Sequence, residues 1–270
     1  MDPFHCLTFL TDYGLEDGFV AACHGVALQI APNARIIDIT HLVPPGDIRR
    51  GAAVLAQTVR YLPRAVHVAV VDPGVGTARR AIAVAAGDSV FVGPDNGLLS
   101  WAVAEAGGAI AAVSLTNRAL WLDTVTATFH GRDIFMPAAA HLAAGTPLAH
   151  AGDELDVASL VTLPRPESRF REGGADAEVV TVDRFGNAQL SVTGADAARA
   201  GLVPGAPVTL AWEGHHRAVA FGSTFGDVAP GELVGYPDSA GYIAIAVNGG
   251  SAAQRLGLRP GTRVTLTVTK

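Results

Sequence analysis

The stretch VHVAVVDPGVGTARR, residues 66–80, joins the end of an apolar run to a glycine-rich turn. Its first part, 66–71, predicts a buried strand. Asp72 follows this strand directly, and Arg79 and Arg80 come just after the turn. Open α/β sheets hold their ligands beyond the carboxyl ends of their strands. We therefore expect this segment to place a carboxylate and a guanidinium in one crevice.

Strand and helix signals alternate on both sides of that stretch. An apolar run at 7–10 precedes helical spacing at 17–30, and 35–39 predicts a second strand. Asp47 is expected to cap a helix that continues to residue 61. The other predicted elements of this half are strands at 81–84, 90–92 and 109–115 and helices at 98–106 and 132–144. This βαβα order predicts a mostly parallel sheet with helices on both faces.

The pattern changes after residue 163. Residues 164–175 are rich in proline, charge and glycine, which predicts a linker between an N-terminal domain, 1–163, and a C-terminal domain, 176–270. Short β-like runs in the second domain predict a small antiparallel barrel or sandwich. A weak repeat relates residues 201–210 to 257–266, and its Pro-Gly pairs fit the centres of type II turns. We expect two similar corners there.

Composition excludes several classes of protein. Apolar residues make up 49% and charged residues 16% of the chain, which supports a sizeable core and argues against disorder. A net charge of −6 without a basic run argues against nucleic acid as a partner. Cys6 and Cys23 are expected to be buried thiols in a reducing compartment. Without a signal-peptide pattern or an apolar stretch of roughly 18 residues, the chain is expected to be cytoplasmic, with no membrane partner.

Polar clusters follow several of the predicted strands of the first half. Asp12, after the first strand, suits a ribose diol or a structural cap. His130 lies between Phe129 and Gly131 before a predicted helix, so an imidazole could join Asp72 at the same sheet edge.

Other chemistries fit these clusters less well. A metal site would have to gather Asp12, His24, His41, Asp72 and His130, but the usual ligand spacings are missing. The loop after Asp72 lacks the Gly-Lys-Ser/Thr ending of a phosphate loop. A serine hydrolase is disfavoured for want of Gly-x-Ser-x-Gly.

Turns in the second half carry an acid, an aromatic ring and amides. Residues 183–187 read DRFGN, 236–242 read YPDSAGY and 247–250 read VNGG. Asn, Asp and Gly serve β-turns by themselves, so a structural role stays open. As a binding site, the amides would contact a base edge, an aromatic ring would stack on the base, and an acid would hold an ammonium group.

Six ordered motifs together resemble the S-adenosylmethionine hydroxide adenosyltransferases, a family related to fluorinating and chlorinating enzymes that use the same molecule. The motifs are 11–14 with Asp17, 71–80, 93–99, 128–135, 183–187 and 239–248. The resemblance implies an N-terminal α/β domain and a C-terminal β-barrel. It also implies homotrimers whose sites lie between one subunit's first domain and a neighbour's second.

The resemblance assigns roles by position. It implies that Asp12 accepts from both ribose hydroxyls, and that Asp72, Arg79 and His130 hold the attacking water. In the second domain it implies that Asp183 binds the methionine ammonium, Ser239 its carboxylate and Asn187 the adenine. It further assigns Phe185, Tyr242, Asn248 and Gly249 to substrate binding, with Phe185 lining the base and the backbone near 248–249 contacting adenine.

The expected reaction is hydrolysis of S-adenosyl-L-methionine (SAM) to adenosine and L-methionine, with no cofactor and no metal. His130 is the better-matched base, because the reference pKa of histidine, about 6.5, lies near neutrality. The halogenating relatives have a tyrosine where Asp72 stands and a serine where Gly131 stands, which favours water here. A halogenase and a SAM or adenosine sensor without turnover stay as alternatives. Arg80 is expected to be structural or on the surface.

Overall fold

A computed structural model of the chain describes residues 3–269. The chain divides into two compact units, Met1–Leu163 and Pro164–Lys270. The strands of the first unit are β1 (Cys6–Thr11), β2 (Arg35–Thr40), β3 (Val66–Val70), β4 (Ala81–Ala86), β5 (Ser89–Pro94), β6 (Ala109–Ser114) and β7 (Asp153–Leu155). Its α-helices are α1 (Phe19–Ile30), α2 (Ile48–Val59), α3 (Ser100–Glu105) and α4 (Met136–Ala143).

The strands of the first unit form one sheet in the order β2-β1-β3-β5-β4-β6-β7. The neighbours β2, β1, β3 and β5 pair in parallel, while β4 is antiparallel to β5 and β6, and β7 to β6. The mostly parallel sheet is therefore confirmed. Thr11 pairs with Val70 in the β1–β3 register, so the residues after these strands lie at one sheet edge.

Helices cover both faces of this sheet. Phe9 joins the core that includes residues of α1 and α4, which pack against each other. The next residue, Leu10, faces Gly51 of α2, and α2 packs on α3. Successive side chains of a strand point to opposite faces, so the two helix pairs lie on opposite sides of the sheet. Asp47 caps α2 as expected, since its carboxylate accepts from the backbone N–H of Arg50 at 2.9 Å.

The second unit is a closed barrel. Its strands are β8 (Arg169–Arg171), β9 (Gly174–Val182), β10 (Ala188–Thr193), β11 (Pro207–Trp212), β12 (His215–Phe221), β13 (Leu233–Pro237), β14 (Tyr242–Val247) and β15 (Arg263–Val268). Its short helices are α5 (Gly194–Arg199) and α6 (Ala252–Leu256). The order is β10-β14-β13-β12-β11-β15-β9-β8, and pairing of β9 with β10 closes the barrel, with β8 attached to β9. β8 and the first residues of β9 lie within the stretch treated above as a linker.

One strand pair of the barrel departs from the antiparallel expectation. β12 and β13 pair in parallel. Parallel neighbours cannot be joined by a tight hairpin, and residues 222–232, which include a 3₁₀ turn at Phe225–Asp227, make the longer connection. The local sequence pattern predicts strands but not the direction in which they pair.

The repeat at 201–210 and 257–266 forms two matching corners, as expected. Gly205 and Gly261 have φ values of +87° and +90°, which suit the third position of a type II turn. Each turn is closed by a backbone hydrogen bond of 2.9 Å, and β11 and β15 then start. These strands pair antiparallel with Leu210 opposite Leu266, so the repeated corners flank neighbouring strands.

Among the described helices, none combines the length and apolar character needed to cross a membrane. Cys6 and Cys23 are buried free thiols. This matches the expectation of unpaired core cysteines.

His67 in β3 should make the fold sensitive to acid. It is 1% exposed, its Nδ1 lies 2.9 Å from the Thr8 hydroxyl, and burial lowers its pKa from 6.5 to about 4. Below pH 6.5 His67 becomes protonated in the unfolded chain but not in the folded chain. The free energy of unfolding therefore decreases as the pH is lowered to about 4. The loss is on the order of 3 kcal/mol. Urea unfolding at stepped pH should show this slope, and His67→Gln should reduce it, whereas exposed His216→Gln should not.

Candidate active site

A cavity of about 330 Å³ opens where β1 and β3 end. Three of the predicted site residues line it, namely Asp12, Asp72 and His130, together with Tyr13 and Gly131. The remaining lining residues are Pro45, Gly46, Val70, Pro73, Val75 and Thr128. A larger cavity of about 690 Å³ lies on the barrel, but none of the predicted site residues lines it. The residues that line the two cavities therefore favour the smaller one as the candidate active site.

Asp72, Arg79 and His130 form a hydrogen-bonded triad. The turn after β3 returns Arg79 onto Asp72, and Nε of Arg79 donates to both carboxylate oxygens at 3.0 and 2.9 Å. Nη2 of Arg79 donates to Asp72 Oδ2 at 2.5 Å and lies 2.9 Å from Nδ1 of His130. The side chains of Asp72 and Arg79 are only 5% and 11% exposed. Because the pair is shielded from water, its interactions are stronger than those of a surface ion pair.

The contact with Arg79 fixes the protonation state of His130. A guanidinium can only donate, so Nδ1 must accept, and the imidazole is neutral with its proton on Nε2. Burial first, and then the charge of Arg79, lower the pKa of His130 below its ordinary value. The carboxylates of Asp72 and Asp133 and a backbone hydrogen bond with Thr126 partly oppose this.

A π-helical turn, Gly131–Phe135, leads from His130 into α4. Its wider ring is closed by the N–H of Met136, which donates to the carbonyl of Gly131. The helix expected at 132–144 is therefore present, but its first turn is not α-helical. Single π turns often occur at functional sites because they re-aim side chains. Here the turn brings His130 and Gly131 to the cavity.

Asp133 holds this turn in place from within the core. It is fully buried, and Oδ2 accepts from the backbone N–H and the hydroxyl of Thr126 at 2.7 and 2.6 Å. Its other oxygen accepts from Nε of Arg132 at 2.6 Å. Burial raises the pKa of Asp133, but the hydrogen bonds from Arg132 and Thr126 outweigh it and hold the pKa below its usual value.

Asp133→Ala should therefore destabilise the protein and disturb His130. Loss of the charged acceptor leaves the Thr126 N–H unpaired, and we expect a cost of about 2–3 kcal/mol. Urea denaturation measures the loss of stability. The kcat of Asp133→Ala should also be lower than that of the wild-type protein, because His130 is disturbed. Asp123→Ala is the matched control, because Asp123 is an exposed acid in the same loop. Equal stability of the two variants would contradict an anchoring role for Asp133.

Asp12 is held ready at the rim of the cavity. Its Oδ2 accepts from the backbone N–H of Gly46 at 2.8 Å, and within residues 3–269 its Oδ1 has no partner. One oxygen thus fixes the side chain while the other can accept from a ligand hydroxyl. This arrangement fits the expected contact with a ribose diol.

Arg80 takes a structural position. Its guanidinium pairs with Asp95, which is 7% exposed, through bonds of 2.8 and 2.5 Å, and it also contacts Ser159. The adjacent arginines therefore have different partners. Arg79 contacts Asp72 and His130 at the cavity, and Arg80 links the start of β4 to the segment near Ser159.

The residues of the alternative metal site are not gathered in one place. His24 Nε2 and His41 Nε2 lie 2.9 and 3.0 Å from Asp38 Oδ1, whereas His130 and Asp72 contact Arg79. Within the described part of the chain, His24, Asp38 and His41 are the group with metal-ligand spacing. His24 Nε2 hydrogen-bonds to the Asp38 carboxylate, and His41 Nδ1 lies 2.8 Å from the Thr11 hydroxyl. His41 Nε2 is close to the same carboxylate but makes no hydrogen bond within the described residues. This group shares two histidines with the alternative metal site but not Asp12, Asp72 or His130.

In the second unit, Asp183 organises the turn between β9 and β10. Its Oδ1 accepts from the N–H groups of Phe185 and Asn187 at 2.9 Å each, and Oδ2 accepts from Asn187 Nδ2 at 2.8 Å. A carboxylate has about four acceptor positions, so Asp183 can still bind a cation. The Oδ1 of Asn187 is left as an acceptor. Phe185 is 77% exposed and available for contact.

The turn between β13 and β14 carries Ser239, which is exposed, and Tyr242, which is half-buried. Asp238 shapes the turn by accepting from the backbone N–H groups of Ala240 and Tyr242 at 2.8 and 3.0 Å. Burial, and then the charges of Asp183 and Asp238, raise the pKa of Tyr236. Both carboxylates are therefore near one phenol, and the two turns face a common region of the barrel.

Asn248 already makes three hydrogen bonds within the second unit, more than its expected role in substrate binding suggests. Its backbone N–H and carbonyl bond to residues 232 and 231, and Nδ2 donates to the carbonyl of Val228 at 2.7 Å. Its Oδ1 and the backbone N–H of the exposed Gly249 are left, within the described residues, for a ligand.

Two aromatic residues were given no role by the sequence analysis. Tyr13 lines the first cavity. Phe225 is 52% exposed, and its ring meets Tyr236 edge-on with centroids 6.0 Å apart. Phe225 thus adjoins the region of Asp183 and Asp238. Its sequence surroundings, a polar stretch between strands, gave no signal for it.

Known proteins match this chain over almost its full length. Residues 7–152 match the family model for the SAM hydroxide adenosyltransferase N-terminal domain, and 177–265 match that for the C-terminal domain. The chain is 59% identical over 268 residues to a Salinispora tropica protein named (R)-S-adenosyl-L-methionine hydrolase, with 99% of each chain covered. It is 30% identical over 292 residues to a protein from Actinoplanes sp. named fluorinase, with 97% of each covered. A crystal structure of an uncharacterized conserved protein from Thermotoga maritima has a TM-score of 0.90 and 38% identity, covering 96% of this chain and 99% of the other.

Proposed function

The chain belongs to the SAM hydroxide adenosyltransferase family, and from that premise we propose that it hydrolyses SAM to adenosine and L-methionine. Water attacks the ribose C5′ and methionine leaves. The observation that carries the proposal is the triad of Asp72, Arg79 and His130 at a cavity that Asp12 also lines. A ribose held at Asp12 would present its C5′ to the same cavity.

The triad suits a water molecule better than an anion. Asp72 is a carboxylate, Arg79 a guanidinium and His130 a neutral imidazole, so the three groups carry no net charge. Asp72 and His130 line the cavity. A halide approaching Asp72 would meet a negative group, whereas water can donate a proton to it.

Asp72 is the better proton acceptor in this geometry. The basic atom of His130, Nδ1, already accepts from Arg79, and a base role would require that bond to break. Both oxygens of Asp72 accept from Arg79, yet a carboxylate keeps further acceptor positions. We therefore assign orientation of the water, and receipt of its proton, to Asp72. Arg79 holds the carboxylate and stabilises developing hydroxide, and His130 fixes Arg79.

The substrate supplies the rest of the driving force. The oxygen of water forms a bond to C5′, the C–S bond breaks, and its electron pair turns the sulfonium into a neutral thioether. The positive charge on sulfur disappears as the C–S bond breaks. A cavity that excludes water therefore stabilises the transition state relative to the charged sulfonium substrate. Holding water and C5′ in line with the C–S bond gives much of the rate. The reaction as proposed uses no cofactor.

The second unit supplies contacts for the rest of the substrate. We assign Asp183 to the ammonium group and Ser239 to the carboxylate of methionine. We assign Asn187, Gly249 and an aromatic ring of Phe185 or Phe225 to adenine, because these groups keep free acceptors or are exposed. We propose that the chain forms homotrimers and that a neighbouring subunit provides these residues. The family resemblance, and the division of the candidate residues between two units, support this arrangement.

Mixing two inactive variants tests the shared site. Arg79→Ala damages the first unit's half, and Asp183→Asn removes charge from the second unit's half while keeping an oxygen acceptor for the turn. Refolding or subunit exchange of the mixture should restore part of the activity, because some interfaces then combine two intact halves. Light scattering gives the oligomeric state. A monomer, or a mixture as inactive as its components, would contradict the shared site.

Product analysis tests the function itself. Purified protein incubated with SAM in chloride buffer should give adenosine and methionine in equal amounts by liquid chromatography and mass spectrometry. The appearance of 5′-chloro-5′-deoxyadenosine would favour the halogenase alternative. Intact SAM together with tight binding by calorimetry would favour a sensor.

A further inference from the structure

We propose that Tyr13 sets the size of the nucleophile that the cavity admits, by filling the space beside Gly131 next to Asp72 and His130. The inference rests on the proposed hydrolase function and deepens it by naming a residue that determines specificity. We call the space bounded by Tyr13, Asp72, His130 and Gly131 the nucleophile pocket.

Gly131 is required here by the approach of Tyr13. Its φ is not positive, so the backbone conformation alone would accept any residue. A Cβ on Gly131 would overlap the Tyr13 hydroxyl and lie 3.0 Å from Cζ and 3.3 Å from Cε2 of the ring. The phenol therefore occupies the place that a side chain at 131 would take.

The Tyr13 ring is held firmly in that place. It packs edge-on against Phe9, Phe19 and Phe129, with centroid separations of 6.4, 6.2 and 5.6 Å. The backbone N–H of Tyr13 donates to the Thr11 hydroxyl at 3.2 Å. A side chain locked on three sides cannot swing away to admit a larger molecule without disturbing its neighbours.

The phenol lies among the reacting groups and stays neutral. Burial first, and then the nearby Cys23, Asp12 and Asp72, raise the pKa of Tyr13 far above its ordinary value, and Arg79 opposes this only in part. Within residues 3–269 the hydroxyl has no hydrogen-bond partner. Tyr13 thus gives the nucleophile pocket a rigid, uncharged wall.

Methanol tests this wall without adding charge. It differs from water by one methyl group, so Asp72 repels neither molecule. Attack by methanol would join its oxygen to C5′, release methionine, lose one proton and give 5′-O-methyladenosine. In aqueous methanol, wild-type protein should give adenosine with only a trace of the methyl ether. Tyr13→Leu should raise the ratio of methyl ether to adenosine at least about tenfold, and Tyr13→Phe should lie between the two.

Tyr61→Leu is the matched control for the methanol experiment. Tyr61 is 71% exposed and does not line the cavity, so its loss should leave the product ratio at the wild-type value. The proposal is wrong if wild-type protein forms the methyl ether in proportion to methanol. It is also wrong if Tyr13→Leu turns over and gives adenosine alone.

A stability measurement decides the matter independently of turnover. Gly131→Ala should lower Tm by several degrees because its methyl group meets the phenol, and adding Tyr13→Phe should recover part of that loss. An unchanged Tm for Gly131→Ala would remove the steric basis of the proposal. Failure of wild-type protein to consume SAM would instead overturn the proposed function and leave this contact test standing.

Discussion

Arg79→Ala should lower kcat by about a thousandfold. Arg79 alone contacts both other members of the triad, with bonds to Asp72 and a 2.9 Å contact to His130 Nδ1. Its loss removes the positive charge that stabilises developing hydroxide and frees both partners to move. Steady-state kinetics with SAM, followed by adenosine formation, measures the effect. A loss below about tenfold would contradict a role for Arg79 in the chemical step.

Two further variants separate chemistry from stability. Arg79→Ala also leaves Asp72 as a buried, unpaired carboxylate, which is destabilising. The double variant Asp72→Asn with Arg79→Gln removes both charges, and we expect near wild-type stability with activity as low as that of the single variant. Arg80→Lys is the matched control, since Arg80 pairs with Asp95 and not with the triad. It should keep the wild-type kcat.

His130→Ala should lower kcat by about a hundredfold, because Arg79 is then misplaced, and should leave KM for SAM within about twofold. His130 fixes Arg79 through Nδ1 but is not assigned to substrate binding. An interaction that acts mainly in the transition state affects kcat rather than KM. His150→Ala, at an exposed histidine, is the control. Equal changes in kcat and KM would assign His130 to binding instead.

The same residue predicts the acid limb of the pH profile. Burial and Arg79 lower the pKa of His130, and the active form is the neutral ring that accepts from Arg79. Activity should therefore be constant above pH 6.5 and fall as pH drops through this lowered value. His130→Gln can still accept from Arg79 but cannot take up a proton. It should keep partial activity and lose this part of the acid limb.

The alternation of strands and helices was enough to predict the four α-helices and the parallel part of the sheet in the first unit, but not the short edge strand β7. Strand ends at Thr11 and Val70 lie side by side in the sheet, which brings Asp12 and Asp72 to one cavity. This follows from the general rule for parallel strands. The repeated Pro-Gly corners before β11 and β15 were predictable for a similar reason, because a positive φ at glycine is a local requirement.

Features that depend on packing could not be predicted. Short strands such as β8, with its exposed residues, carry little apolar pattern, and the parallel pairing of β12 with β13 is decided by the barrel as a whole. The π turn at 131–135 is stabilised by Asp133 from within the core. The approach of Tyr13 to Gly131 joins residues far apart in sequence, so no local motif indicates it.

Isotope incorporation tests the central claim most directly, namely that water held by the triad attacks C5′ of SAM. Wild-type protein should be incubated with SAM in water enriched in ¹⁸O, and the adenosine examined by mass spectrometry. We predict one ¹⁸O atom in the 5′-hydroxyl group, with unlabelled methionine formed in equal amount. Adenosine without the label at the 5′ oxygen, or SAM recovered intact, would contradict the account.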